Sequence, residues 1–337
     1  MDTVNQRMKP HILFAIEKWC DYNPAMGNSP NDSYLIGSLE ASGLATYERL
    51  NFDEYYYFHK KEADNFLLDI CLNSRPDFVM LSWYGDNTPY NPKLKTIDEI
   101  HNKFNIPIVA IWYDSVAPQS QVFPETLLPV VDLNIVVDST TAYLQKTRQP
   151  EKCLPLWVPH DPRIFNNPNL ERDIELSFVG SVNSNRFPLR QAAIDTLRKN
   201  GIEVYQTGGQ REKRVTIEEY ANIYKRSKIA LNFSKNSLFI DQTKARIFEA
   251  TLCGALLLEN ENSETKKYFE PMVDYVAFKD FDDLVDKVNY YLRHDDDRTR
   301  IAAHGYQKVT EKYNNINFWK SIFSKIFSTS YISSENK

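Results

Sequence analysis

Glycine and cysteine are both scarce in this sequence, at 10 and 4 of 337 residues. Cys20, Cys71, Cys153 and Cys253 lie far apart and form no CxxC pair, which argues against a zinc site and against a disulfide framework. The six histidines do not cluster, so no structural metal is expected. No run approaches the ~18 consecutive apolar residues that a membrane-crossing helix needs. The amino-terminal stretch His11–Ile16 is apolar but carries no small-residue cleavage signature, and it reads as a first strand rather than a leader. A basic surplus is missing too: the net charge of −5 argues against a dedicated nucleic-acid binder. What remains is a globular protein, expected in the cytoplasm, with peripheral membrane contact left open.

A chain of 337 residues exceeds one comfortable core, so two domains are expected. In the first half, strands and helices alternate. His11–Ile16, Tyr55–Phe58, Phe78–Trp83, Ile108–Tyr113 and Leu133–Val137 read as strands. Tyr34–Ser42 (ended by Gly43), Ala63–Asn73, Lys93–Phe104 and Thr126–Val131 read as helices. Near-continuous apolar strands separated by helices mean a parallel sheet covered on both faces. The pattern breaks at Pro155, Pro159, Pro162 and Pro168, the best linker in the chain. It then restarts with strands Glu175–Val179, Glu203–Gln206, Ile229–Phe233, Ala255–Glu259 and Tyr275–Phe278 and helices Pro188–Asn200, Ile217–Arg226, Thr243–Cys253 and Phe281–Leu292. Ile316, Trp319, Ile322, Phe323, Ile326 and Phe327 form an apolar stripe on a last helix. The expected organisation is an α/β protein of two doubly wound, Rossmann-like domains facing each other across a cleft. A first domain would span residues 1–158, a linker 159–172 and a second domain 173–312, with the helix 313–330 returning to the first domain.

The stretch from Leu231 to Glu259 holds the most chemistry. A strand leads into a polar loop, a helix, Gly254 and another apolar strand. Asp241, Lys244 and Arg246 stand in the loop and first helical turn, and Glu249 lies further along the helix. Cations and helix N-terminal amides suit the diphosphate of a nucleotide sugar, whose leaving group gains negative charge. Carboxylates suit its sugar and ribose hydroxyls. Arg246 and Glu249 also fit an ordinary i, i+3 surface ion pair, and Lys244 a solvated side chain.

Asp241-x7-Glu249 followed by Cys253, Gly254 and Ala255 resembles the acidic-x7-acidic motif and following turn of the group 1 glycosyltransferases of GT-B fold, particularly the branch with CgeB-like proteins. The usual first residue there is Glu; here it is Asp241, one methylene shorter. The resemblance implies that Glu249 binds the ribose, Asp241 the donor sugar, and Lys244 and Arg246 the diphosphate. Phe178, Val179, Gly180, Ser181 and Arg186 resemble the loop that approaches the donor phosphates. Thr216 to Asn232 and Phe281 to Gly305 resemble flanking parts of the same domain. The implied activity is hexosyl transfer from a nucleoside-diphosphate sugar such as a UDP-sugar, as substrate rather than cofactor, to a glycan, lipid-linked or protein acceptor. It would be metal-independent and retaining, and would serve glycan or surface polysaccharide synthesis.

Several residues carry two readings. Asp114 ends the strand Ile108–Tyr113 and either orients a sugar hydroxyl or acts as a base toward the acceptor, or simply starts a turn. Trp83, Tyr84 and Asp86 end the neighbouring strand and either stack on a sugar or shape a loop. Asp280-Phe281-Asp282 spells a DxD metal signature but sits where an N-cap is favoured. Asp295, Asp296 and Asp297 read as a solvated turn between helices. Arg211, Lys213 and Arg214 either meet a charged ligand or form a mobile basic loop, and His160-Asp161 in the hinge either lies near the donor or is plain linker. Two other functions fit the donor motif: a sugar-nucleotide epimerase of GT-B architecture, or a non-catalytic nucleotide-sugar-binding protein.

Overall fold

Apolar strands of this kind are satisfied only inside sheets covered on both faces, and the chain builds two such sheets. The computed structural model describes residues 9–138, 143–182, 187–208, 215–235 and 239–334. They divide into two units: one runs to Pro159 and resumes at Asn315, and the other is His160–Asn314.

The first unit contains β1 (His11–Ile16), α1 (Ser38–Ser42), β2 (Thr46–Asn51), α2 (Phe52–His59), α3 (Asp64–Ser74), β3 (Phe78–Leu81), α4 (Leu94–Asn102), β4 (Ile108–Trp112), α5 (Val122–Leu127), β5 (Leu133–Val136) and β6 (Cys153–Pro155). Its strands are all parallel, in the order β2-β1-β3-β4-β5-β6. Leu13, Ala15, Val79, Leu81, Ile108 and Ala110 of the inner strands pack against Leu67, Cys71, Ile97 and Ile100 of the helices.

The second unit contains β7 (Ile174–Val179), α6 (Pro188–Lys199), β8 (Tyr205–Thr207), α7 (Ile217–Arg226), β9 (Ser227–Asn232), α8 (Ala245–Leu252), β10 (Leu256–Asn260), β11 (Val276–Phe278), α9 (Phe281–Arg293) and α10 (Asp295–Lys312). These strands are parallel in the order β11-β10-β9-β7-β8. A capping box starts α7: Thr216 Oγ1 accepts from the Glu219 amide at 3.2 Å, and Glu219 accepts from the Thr216 amide at 2.9 Å. Arg172 donates to the carbonyls of Tyr224, Ser227 and Cys253, satisfying the orphan carboxyl ends of α7 and α8. Gly254 follows α8 with φ +74°, and a Cβ there would meet Asn167 Nδ2 at 2.5 Å, so only glycine fits.

The last helix, α11 (Asn315–Ser334), belongs to the first unit. Its Trp319 indole donates to Ser38 Oγ at 3.0 Å and meets Phe14 edge-on at 6.0 Å.

Four local expectations change. Tyr55–Phe58, read as a strand from its aromatic β propensity, lies inside α2, and the strand is Thr46–Asn51. Asp53 in the first turn of α2 accepts from the Lys18 and Trp19 amides at 2.7 and 3.0 Å, and this tertiary anchoring overrides propensity. As an edge strand, β2 has only Leu50 and Asn51 buried and so shows no apolar run. Pro155, counted with the linker, sits on the edge strand β6, where a missing N–H costs nothing. Tyr34–Ser42 begins earlier, as a π-helical turn at Asp32–Gly37 that continues into α1. Asp295, Asp296 and Asp297 are the first turn of α10 rather than a turn between helices, a place the helix dipole favours for acids.

Both sheets share one chirality of strand order. The first strand lies inside, the second pairs on one side of it and the third on the other, so the order reverses between β1 and β3 and between β7 and β9. Ligands of doubly wound sheets bind beyond the carboxyl ends of the strands at such a switch point.

Candidate functional site

In the second unit the switch point is clasped by two arginines. Arg246, in the first turn of α8, donates from Nε to Asn232 Oδ1 at 2.9 Å and from Nη1 to the Val179 carbonyl at 3.2 Å, joining the ends of β9 and β7. Arg190, in the first turn of α6, donates to the carbonyls of Ser181 and Phe233 at 3.1 and 3.3 Å and lies 3.8 Å over the Phe187 ring. Gly180 stands directly under Arg246: a Cβ there would come within 2.7 Å of Nη1. Glycine is therefore the residue that lets a guanidinium close over this loop, and Ser181 continues it with partial exposure.

Arg246 is held from behind. Asn232 Nδ2 donates to Glu259 Oε1 at 2.7 Å and to Ser234 Oγ at 2.9 Å, which turns its Oδ1 toward the guanidinium. Glu259 is fully buried at the end of β10, and burial pushes its carboxyl up to about 7 against the hydrogen bonds from Ser234, Thr265 and Asn232. Sequence reasoning missed Asn232, Glu259 and Arg190. For Asn232 and Glu259 the signal was there, since polar residues closing otherwise apolar strands rarely lack a task.

Lys244 is the N-cap position of α8, with extended φ −112° and ψ 145°, so the helix's first amides open beside it. Asp241 takes the amide and hydroxyl of Ser263 on Oδ2 at 2.9 and 2.8 Å, and its Oδ1 lies 3.8 Å from Lys235 Nζ. That carboxylate staples two loops together. Glu249 is 1% exposed. It accepts a hydrogen bond from the Tyr220 hydroxyl, and His160 Nε2 lies 3.5 Å away. His160, read either as linker or as a neighbour of the donor, packs between Phe165 and Phe248 in this unit's core. Arg246 and Glu249 thus serve different partners rather than forming a surface pair. Arg186, Arg211, Lys213 and Arg214 lie outside the described residues.

In the first unit, Asp114 is exposed after β4, on a turn fixed by buried Asp138, which accepts from the Ser115 hydroxyl and from the Val116 amide at 2.9 Å. Trp83 is 2% exposed with its indole on the Pro92 carbonyl, and Asp86 accepts from the Leu94 amide at the start of α4, so both are architectural. Tyr84 between them is 40% exposed.

Asp280 accepts from the Asp283 amide at 2.9 Å and caps α9, as its position suggested. Among the described residues no cluster of three His, Cys, Asp or Glu could hold a metal ion, and no helix is long and apolar enough to cross a membrane.

Residues 186–324 match the model of a family described as glycosyl transferase-like. No curated protein matches the chain by sequence. Several solved structures resemble it. HepE of Anabaena, in complex with UDP and glucose, is 13% identical over 95% of this chain and 100% of that one, with a TM-score of 0.61. Sucrose-phosphate synthase of Thermosynechococcus elongatus is 10% identical over 95% and 100%, with a TM-score of 0.62. A Listeria monocytogenes protein described as a UDP-N-acetylglucosamine 2-epimerase is 10% identical over 97% and 96%, with a TM-score of 0.55. The fold of the chain is therefore GT-B: two doubly wound α/β units, with a glycosyl transferase-like match beginning inside the second.

Proposed function

We propose that this chain is a glycosyltransferase that moves a hexosyl unit from a nucleoside-diphosphate sugar, a UDP-sugar in the first instance, to an acceptor hydroxyl. The observation that carries the reading is the Arg246 clasp over Gly180 at the second unit's switch point, beside the amino end of α8. In the reaction the acceptor oxygen bonds to the anomeric carbon while the bond from that carbon to the diphosphate oxygen breaks. The acceptor proton leaves with the nucleoside diphosphate or passes to water. Charge develops on the leaving diphosphate, and a guanidinium already fixed in place stabilises it without reorganising.

Arg246, Lys244 and the first amides of α8 supply positive charge for a diphosphate, which supports metal-independent transfer. Gly180 and Ser181 would lie along the phosphates, and the resemblance assigns Arg186 to them as well. Asp241 is assigned to the donor sugar and Glu249 to the ribose; a ribose that reaches Glu249 takes the place of the Tyr220 hydroxyl. Asp114 is assigned to the acceptor side. Retention of configuration, membership of the CgeB-like branch and a role in glycan or surface polysaccharide synthesis follow from the resemblance and belong, with a cytoplasmic setting, to the same proposal.

The epimerase-like neighbour makes nucleotide-sugar epimerisation the competing reading. Proton NMR of the protein incubated with a panel of nucleotide sugars, with and without EDTA, separates them. Expected is release of free nucleoside diphosphate with a new glycoside or free sugar, unaffected by EDTA. An isomerised sugar without transfer supports the epimerase, and inertness toward every nucleotide sugar overturns catalysis on this substrate class.

A further inference from the structure

The first unit has a switch point as well, between β1 and β3, and its chemistry is different. Glu17 follows β1 immediately and is partly exposed. Its Oε1 accepts from Ser29 Oγ and from Asn31 Nδ2, each at 2.8 Å, and the Ser82 hydroxyl at the end of β3 lies beside it. Asn31 Oδ1 in turn accepts from the Tyr113 hydroxyl at 2.7 Å, at the end of β4. Tyr22 and Tyr84 approach from the same strand ends, their rings edge-on at 6.5 Å.

Among the described residues, the side chains that hold the Glu17 carboxylate are neutral. Lys18, next in sequence, lies 3.7 Å from Asp32, and Arg49 pairs with the same carboxylate. Burial holds the Glu17 carboxyl above the ordinary carboxylate range. An acid kept without a cation costs stability, and it stands where doubly wound sheets take their ligands. A phosphate or carboxylate would meet the Glu17 carboxylate, whose partners among the described residues are the neutral Ser29, Asn31 and Ser82. Hydroxyl groups suit it: the Glu17 carboxylate accepts, the amide and the phenols both donate and accept, and the exposed ring of Tyr84 offers an apolar face of the kind that pyranose rings cover.

We propose that Glu17, Asn31, Tyr113 and Tyr84 form a subsite for an uncharged, hydroxyl-rich acceptor, a neutral sugar rather than an anionic lipid headgroup or sugar phosphate. This rests on the transferase reading for its role as acceptor, but its ligand chemistry stands on the first unit alone. The test is saturation-transfer NMR and calorimetry on the full chain. The probes are methyl glycosides of neutral hexoses and the corresponding hexose 6-phosphates, with UDP as an independent ligand.

Expected is binding of at least one neutral glycoside, with no competition by its 6-phosphate. Glu17→Ala weakens it about tenfold, the worth of one charge-assisted hydrogen bond. Tyr84→Ala, a change at an exposed side chain, weakens it several-fold while leaving the melting temperature unchanged. UDP affinity stays at the wild-type value in both variants, which reports a folded second unit. The proposal is overturned if hexose 6-phosphates bind in preference, if no neutral glycoside binds, or if both variants bind glycosides like the wild type. Failure of UDP to bind the wild type, with glycoside binding intact, would instead count against the donor site alone.

Discussion

Where the strand order reverses, the second unit sets two arginines and a glycine, and the first sets a glutamate, an asparagine and tyrosines. The two sheets have the same topology around these points, so topology did not choose the chemistry. Local residues did: Gly180 leaves room for the Arg246 guanidinium, whereas after β1 the chain continues with Glu17 and fastens Ser29 and Asn31 onto it. One fold thereby presents a cationic switch point suited to a diphosphate and an uncharged-to-acidic one suited to hydroxyls. Function on doubly wound folds resides in such grafted residues rather than in the scaffold.

The polar support under each switch point can be broken separately. The largest effect is expected at Glu259. Its folded-state value of about 7 lies above the ordinary 4.5, so the unfolded chain releases the proton first as pH rises. Stability is then full below about pH 4.5 and falls through about pH 7, by about 3 kcal/mol in total. Glu259→Gln keeps the shape and should remove that slope. Urea melts of both proteins between pH 5 and 8 check it, and parallel curves would refute the assignment.

A smaller effect is expected at Gly180. Alanine there displaces the Arg246 guanidinium from the Val179 carbonyl, because the added carbon would lie within 2.7 Å of Nη1. Gly180→Ala should lower UDP affinity about tenfold and leave glycoside binding in the first unit untouched. Equal losses of both ligands would show a general fault in folding rather than a local one.

The smallest effect is expected at Asp280, which belongs to neither switch point. Asp280→Ala removes an N-cap and should lower stability by ~1 kcal/mol, with transfer and its response to divalent cations unchanged. Loss of a metal-dependent activity would revive the DxD reading.

The periodicity of apolar runs made the β-rich frame legible. β1, β4, β5, β7, β9 and β10 are buried along most of their length, and burial on both faces is what writes an apolar run into sequence. β2 and α2 were misread because an edge strand needs no such run and because the anchor of α2, Asp53 on the Lys18 and Trp19 amides, is a contact distant in sequence. Of the candidate site, Arg246, Gly180 and Glu249 stood out through their motif. The partners that give them meaning did not: Asn232, Glu259, Arg190 and Tyr220 come from other strands and helices, and only folding brings them within hydrogen-bonding reach. Glu17 was invisible for the same reason, since its partners Ser29, Asn31 and Ser82 are assembled by the β1–β3 neighbourhood.

Calorimetric titration of UDP into the wild type and into Arg246→Ala, in metal-free buffer, tests the donor site most directly. Expected is saturable one-site binding to the wild type and a loss of roughly a hundredfold in the variant, the scale of a charge-assisted pair to phosphate. Undiminished affinity in Arg246→Ala, or no binding of UDP to the wild type, would contradict a nucleotide-sugar site at the second unit's switch point.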